Sequence, residues 1–125
     1  MERKYLKLND IGAYKNSFSL SNYIWEIVLG WDSFAKFTIG KQFANSIDSI
    51  SANIAEGWGR YHKKDKIKFY YNARGSLCES LDWLEKGHRR GLLPEKQYEH
   101  IFGILEKLPK EINTLISYTN KKLTI

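Results

Sequence analysis

The sequence predicts an all-α fold, an antiparallel up-down-up-down four-helix bundle occupying the whole chain, 1–125, as one domain. Three observations predict it. Apolar residues recur at three- and four-residue steps in four long segments, no stretch alternates with period two long enough to make a sheet, and short breaks rich in Gly, Pro, Asp and Ser separate the segments.

The first segment, 17–31, carries Leu20, Ile24, Ile27, Val28 and Trp31 on one stripe and stops at Asp32-Ser33. The second, 35–58, places Ile39, Phe43, Ile47, Ile50 and Ile54 at steps of 4, 4, 3 and 4, which a helix turns into one face. It ends where glycines interrupt the regular turn, at Gly57-Trp58-Gly59. The third, 65–90, reads through Tyr70, Leu77, Leu81 and Leu84. Gly91 suits its C-terminal cap, and Pro94 suits the opening of the next helix. The fourth, 95–121, repeats Tyr98, Ile101, Leu105, Leu108, Ile112 and Leu115 at steps of 3, 4, 3, 4 and 3. Pro109 within it removes a backbone donor and is expected to kink the helix.

Composition bounds the chemistry. At 125 residues and 42% hydrophobic content, the chain can bury one core without disulfide or metal staples. The lone cysteine, Cys78, excludes an intrachain disulfide and a Cys-rich zinc site; inside an apolar helical pattern it is expected to be a small inert hydrophobe, in a reducing cytoplasm. Met1 to Asp10 has charges but no apolar secretory core, and the longest apolar run, Tyr23 to Trp31, is broken by Glu26 and far short of a membrane span. A cytoplasmic protein without membrane contact is expected. The net charge of +6 and pI near 9.4 favour polyanionic partners such as RNA, DNA or an anionic surface.

Topology gives that charge a location. In an up-down-up-down bundle the second and fourth helices end, and the third begins, at the same place. Arg60, Lys63, Lys64, Lys66 and Lys68 are therefore expected beside Lys121 and Lys122, with only Asp65 interrupting the run 60–68. Lys86, Arg89 and Arg90 close the third helix at the other end, where cations complement the helix dipole. Lys66 and Lys68 stand near the start of that helix, where the dipole disfavours them, so helix stability does not account for them. The cluster reads either as a solvated surface or as a phosphate-contacting patch. Tyr61, Tyr70 and Tyr71 lie close enough in sequence to supply stacking, although Tyr70 fits the core better.

Two further features stand out. At about 100° per residue, Phe69, Ser76 and Trp83 fall on a face away from the core stripe of the third helix. They read as a packing surface for another subunit or as the edge of the monomer core. Arg74 falls between Tyr70, Leu77 and Leu81 and is expected to meet an acceptor or a subunit contact, with Asn53 and Glu56 as candidate partners.

Catalysis finds no support. Glu85 and His88 match one half of a di-iron Glu-x-x-His pair, but the second half and the extra glutamates are missing. His62, His88 and His100 have no ligand spacing, and no phosphate loop, nucleophile elbow or zinc-protease motif occurs. No enzyme activity, metal or cofactor is expected.

Ser51-Ala-Asn-Ile-Ala-Glu-Gly-Trp-Gly-Arg60, followed by Phe69-Tyr-Tyr-Asn-Ala-Arg-Gly-Ser-Leu77 and Glu79, resembles the bacterial family of ribosomal-RNA intervening-sequence proteins, over roughly residues 15–120. The family motif maps onto Asn53, Glu56, Gly57, Arg60, Ala73, Arg74, Gly75, Ser76 and Leu77. The chain departs from it at Asp48-Ser49, where relatives often carry a serine-isoleucine-proline-like sequence, and at Cys78-Glu79-Ser80. The resemblance implies a four-helix bundle assembled as a homo-oligomer, a pentamer. It also implies an architecture similar to the nucleic-acid-binding accessory proteins of diversity-generating retroelements. The expected function is non-enzymatic binding of RNA or another nucleic acid through the basic end, with Asn53, Glu56, Gly57, Arg74 and Gly75 as structural motif residues. The alternative is a scaffold for a protein partner, recruited by Phe69 and Trp83.

Overall fold

The computed structural model describes residues 7–123, and all regular structure among them is helical. A short 3-10 turn, Leu8–Asp10, leads into α1, Gly12–Leu29. Helix α2 is one rod, 33–59, built from Ser33–Ala35, a π-helical turn Lys36–Gly40, and Lys41–Gly59; Gly40 and Lys41 keep right-handed helical backbone across the last join. Helix α3 spans Lys63–Arg89 and α4 spans Glu95–Lys122. Expected boundaries fall within a few residues of these, except that α1 begins at Gly12, well before 17. Ala13 and Ser17 explain the difference. Both are buried against the core, but neither is large enough to mark an apolar stripe, and the Ser17 hydroxyl is satisfied by the Ala13 carbonyl at 2.7 Å.

Helix ends follow local chemistry. The Asp32 carboxylate accepts from the Ala35 amide at 3.1 Å and caps α2. Helix α3 closes in a Schellman motif. Leu92 N–H donates to the Gly87 carbonyl (2.9 Å) and Gly91 N–H to that of His88 (3.1 Å), with Gly91 at φ +75°. Pro94 is the N-cap of α4, and Pro109 lies in mid-helix without ending it.

The helices share one core. Leu20 and Ile24 from α1, Phe43, Ile47, Ile50 and Ile54 from α2, Tyr70 and Leu84 from α3, and Ile101, Leu105, Leu108 and Ile112 from α4 are almost fully buried. Each such side chain contributes about 1.5–3 kcal/mol relative to exposure. The stripes expected on α2 and α4 are the ones observed. On α3 the buried set is Tyr70, Ala73, Leu77, Ser80, Leu84 and Gly87, a 3-4-3-4-3 heptad register that passes through small residues instead of Leu81. Ser80 Oγ lies 3.0 Å from Ser46 Oγ of α2 and 2.8 Å from the Ser76 carbonyl, so the buried hydroxyls satisfy one another where the helices approach.

That register corrects two expectations. Cys78 is exposed, not packed among apolar side chains, because it falls on the far side of the 77–84 stripe. Arg74 flanks the core half-buried, next to Ala73, instead of occupying its middle.

Candidate nucleic-acid interface

Gly57 sets the geometry of the α2–α3 corner. A Cβ there would lie 2.9 Å from the Lys66 carbonyl and 2.7 Å from the Tyr70 ring, so only glycine lets the end of α2 touch the first turns of α3. Arg60 and His62 then adopt extended backbone, and α3 starts at Lys63. The His62 side chain makes no cap, so the positive end of the α3 dipole lies beside Lys63 and Lys64.

The chain-distant cations meet here. Lys63 Nζ donates to the Asn120 carbonyl at 3.5 Å, next to Lys121 and Lys122. Lys66 Nζ donates to the Trp58 carbonyl at 2.8 Å and sits 5.5 Å from the Trp58 ring centre. Lys66 shares a cleft with Lys122, and its half-burial lowers its pKa by desolvating the ammonium. Arg60 pairs with Glu56 at 2.9 Å and lies over the Phe69 ring at 4.7 Å; Lys68 reaches the same ring at 6.0 Å. Among the described residues, no carboxylate forms an ion pair with Lys63, Lys64, Lys66, Lys68, Lys121 or Lys122.

Aromatic side chains interleave with this charge. Tyr61, in the turn, is 72% exposed and stands edge-on to His62 at 5.1 Å. Tyr71 is exposed, with Arg74 5.6 Å from its ring centre. Tyr70 belongs to the core; burial raises its phenol to about 12, opposed in part by a hydrogen bond with Thr119. The sequence gives no sign of a role for Tyr118 or the Trp58 ring. Tyr118 is 47% exposed on α4, and its place beside the α2–α3 corner depends on a neighbour 60 residues away in sequence.

The remaining motif residues divide. Asn53 Nδ2 donates to the Ser49 carbonyl at 2.8 Å and Glu56 holds Arg60, so neither meets Arg74, which makes no hydrogen bond or ion pair among the described residues. A Cβ on Gly75 would meet nothing within 4 Å, and nothing in this fold explains that glycine. Phe69, Ser76 and Trp83 are all half-buried. Trp83 packs against the core edge, donates to Glu79 at 3.2 Å and carries Lys86 4.6 Å from its ring centre.

Glu85 accepts from the Tyr98 hydroxyl and His88 contacts Glu95 at 2.9 Å, so the partial di-iron pattern is engaged in joining α3 to α4. Among the described residues, no group of three or more His, Cys, Asp or Glu is placed to hold a metal, and no helix is long and apolar enough to cross a membrane.

The molecule is thus of the helical-bundle class, with a cluster of lysines at the α2–α3 corner that form no ion pair among the described residues. The description "23S rRNA-intervening sequence protein" matches residues 9–114, and the chain belongs to that family. A crystal structure of a protein of unknown function from the S23 ribosomal protein family of Bacteroides thetaiotaomicron VPI-5482 is similar, at 25% identity and TM-score 0.76, covering 83% of this chain and 97% of that one. No curated protein matches the chain.

Proposed function

We propose that this protein is a non-enzymatic, cytoplasmic, homo-oligomeric four-helix bundle, folded as one domain, that binds RNA or another nucleic acid through its basic corner. The antiparallel reading is supported by side-chain pairs that meet in reversed chain order. Lys63 reaches Asn120 while Tyr98 reaches Glu85, and Asn16 reaches Glu111 while the Tyr23 ring packs, tilted, against that of His100. The observation that carries the nucleic-acid reading is the approach of Lys63 and Lys66, on the first turns of α3 where the helix dipole opposes cations, to the end of α4 that carries Lys121 and Lys122. None of these lysines forms an ion pair among the described residues. Like charges so placed cost stability, and a polyanion that binds there removes that cost while releasing its own counterions.

Assembly would multiply this corner. A pentamer presents five copies, which raises effective affinity without base-specific contacts. Phe69, Ser76 and Trp83 are the proposed subunit contacts. The reading as a protein scaffold draws on a different observation. Phe34 and Phe37, 80% and 70% exposed, flank a depression that also involves Trp83 and Lys86. Large apolar groups held in water at that level suit a protein partner.

The deciding experiment replaces Lys63, Lys64, Lys66 and Lys68 together by Gln and measures binding to structured RNA alongside oligomeric state. Loss of RNA binding with an intact oligomer is expected. Unchanged RNA binding with full activity in the host would favour the scaffold.

A further inference from the structure

The basic corner holds shape as well as charge. Tyr118 lines three depressions, two of which also carry Lys122. The smaller of those two, about 260 Å³, is lined by Trp58, Lys66, Tyr70, Thr119 and Lys122 besides Tyr118 itself. The larger, about 680 Å³ and more open, follows the outer face of α4 past Lys110, Ser117 and Lys121. Tyr118 and Lys122 line both. The Tyr118 ring lies outside the core cluster, so core packing does not account for an aromatic side chain there.

We propose that this corner holds single-stranded nucleic acid, with one unpaired base seated against Trp58 and Tyr118 in the smaller cleft and the flanking phosphates on Lys63, Lys64, Lys121 and Lys122. The inference deepens the function proposed above and rests on it. A duplex offers phosphates to any basic surface, but its bases are stacked on both faces and cannot lie flat against a protein ring. An unpaired base can, and stacking of this kind tolerates any sequence because every base has a π-face. The volume agrees. At about 260 Å³ the cleft falls below the roughly 300–1,000 Å³ of pockets for drug-sized ligands, which suits one base better than a larger molecule. The Lys66 ammonium is anchored beside the Trp58 ring by the Trp58 carbonyl, fixing a cation at the cleft wall. Tyr61, exposed at the turn, gives a neighbouring base a second ring on the path of the strand.

The test uses the full-length chain and a labelled RNA strand of roughly 12 nucleotides, within the usual span of small single-strand sites. The same strand annealed to its complement serves as the duplex probe, and binding is read by fluorescence anisotropy. The single strand should bind at least about tenfold more tightly than the duplex. Tyr118→Ala should weaken the single strand by roughly 5- to 150-fold, as removal of one stacking ring does, and leave the duplex within about twofold. Tyr118→Phe should keep the wild-type value. Trp58→Phe should reduce the quenching of tryptophan emission by the single strand. Equal binding of both probes, or a Tyr118→Ala protein of wild-type helicity and wild-type affinity, would overturn the inference. The double variant Lys121→Gln/Lys122→Gln separates the two proposals. If it weakens both probes while Tyr118→Ala weakens neither, the basic corner stands and base stacking falls; if it too changes nothing, the basic corner itself is refuted.

Discussion

The two ends of the bundle carry comparable runs of positive charge and handle them in opposite ways. At the α3–α4 end, Lys86 pairs with Asp82 at 2.6 Å and His88 with Glu95 at 2.9 Å, while Arg89 and Arg90 close a helix whose dipole favours cations. Tyr98 stacks on His88 at 3.9 Å and donates to Glu85, and that hydrogen bond is the main cause of its raised pKa. His88 with Glu95 and Tyr98 with Glu85 join α3 to α4, while Lys86 and Asp82 brace α3 along its own length. At the α2–α3 corner the lysines have no acidic partner among the described residues. Lys63, Lys64 and Lys66 stand where the α3 dipole opposes them, although Lys121 and Lys122 close α4 where the dipole favours them. Charge that stabilises the fold needs no ligand to explain it; charge set against the fold asks for one.

The comparison breaks most visibly in binding. Replacing Lys63, Lys64, Lys66 and Lys68 by Gln should cost RNA affinity about 100-fold or more at low salt, whereas replacing Lys86, Arg89 and Arg90 by Gln should cost less than about threefold. Equal losses at the two ends would erase the distinction. The shape of the corner is tested by Gly57→Ala. Its new methyl group must displace the Lys66 carbonyl or the Tyr70 ring, so urea denaturation should report a loss of about 1–3 kcal/mol. Gly75→Ala, open on all sides, should instead gain up to about 1 kcal/mol.

Alkaline pH probes the corner from the inside. The Tyr70 phenol is raised to about 12 in the fold against 10.0 for the free group, so its contribution is complete below pH 10 and lost as pH rises towards 12. The loss should be roughly 1–3 kcal/mol and absent in Tyr70→Phe. Lys66, with its pKa lowered, acts in the opposite sense as it deprotonates, which is why the two proteins are compared with each other. At the other end, Gly91→Ala places a side chain at φ +75° and should cost about 1–2 kcal/mol in the same denaturation assay, without touching RNA binding. The smallest effect belongs to Glu56→Gln, which breaks an exposed ion pair. Stability should shift by less than about 1 kcal/mol, and RNA affinity should rise slightly as Arg60 is released.

Much of the fold is legible in the sequence because large apolar residues mark a helical face unambiguously. The Ile39-to-Ile54 and Ile101-to-Leu115 stripes are buried as their spacing requires. The α3 register is harder to read because Ala73, Ser80 and Gly87 are buried for being small, and small residues carry no hydropathy signal. A register drawn through Leu81 instead puts Arg74 in the core and hides Cys78 there. Of the corner, the cations are readable from charge density and topology. Tyr118 is not, because its meaning lies in the cleft that α4 makes with the α2–α3 turn. Phe34 and Phe37 also escape such a reading, since a π-helical turn redirects the residues beside it and leaves no mark in the hydrophobic period.

The most direct test of the basic corner is the salt dependence of RNA binding, taken as the slope of log affinity against log salt concentration. The wild-type slope should be steep, and the Lys63, Lys64, Lys66, Lys68 quadruple Gln variant should flatten it by up to about 3, or about 0.7 for each phosphate that no longer meets a lysine. Identical slopes for the two proteins would mean that these lysines do not meet the phosphates.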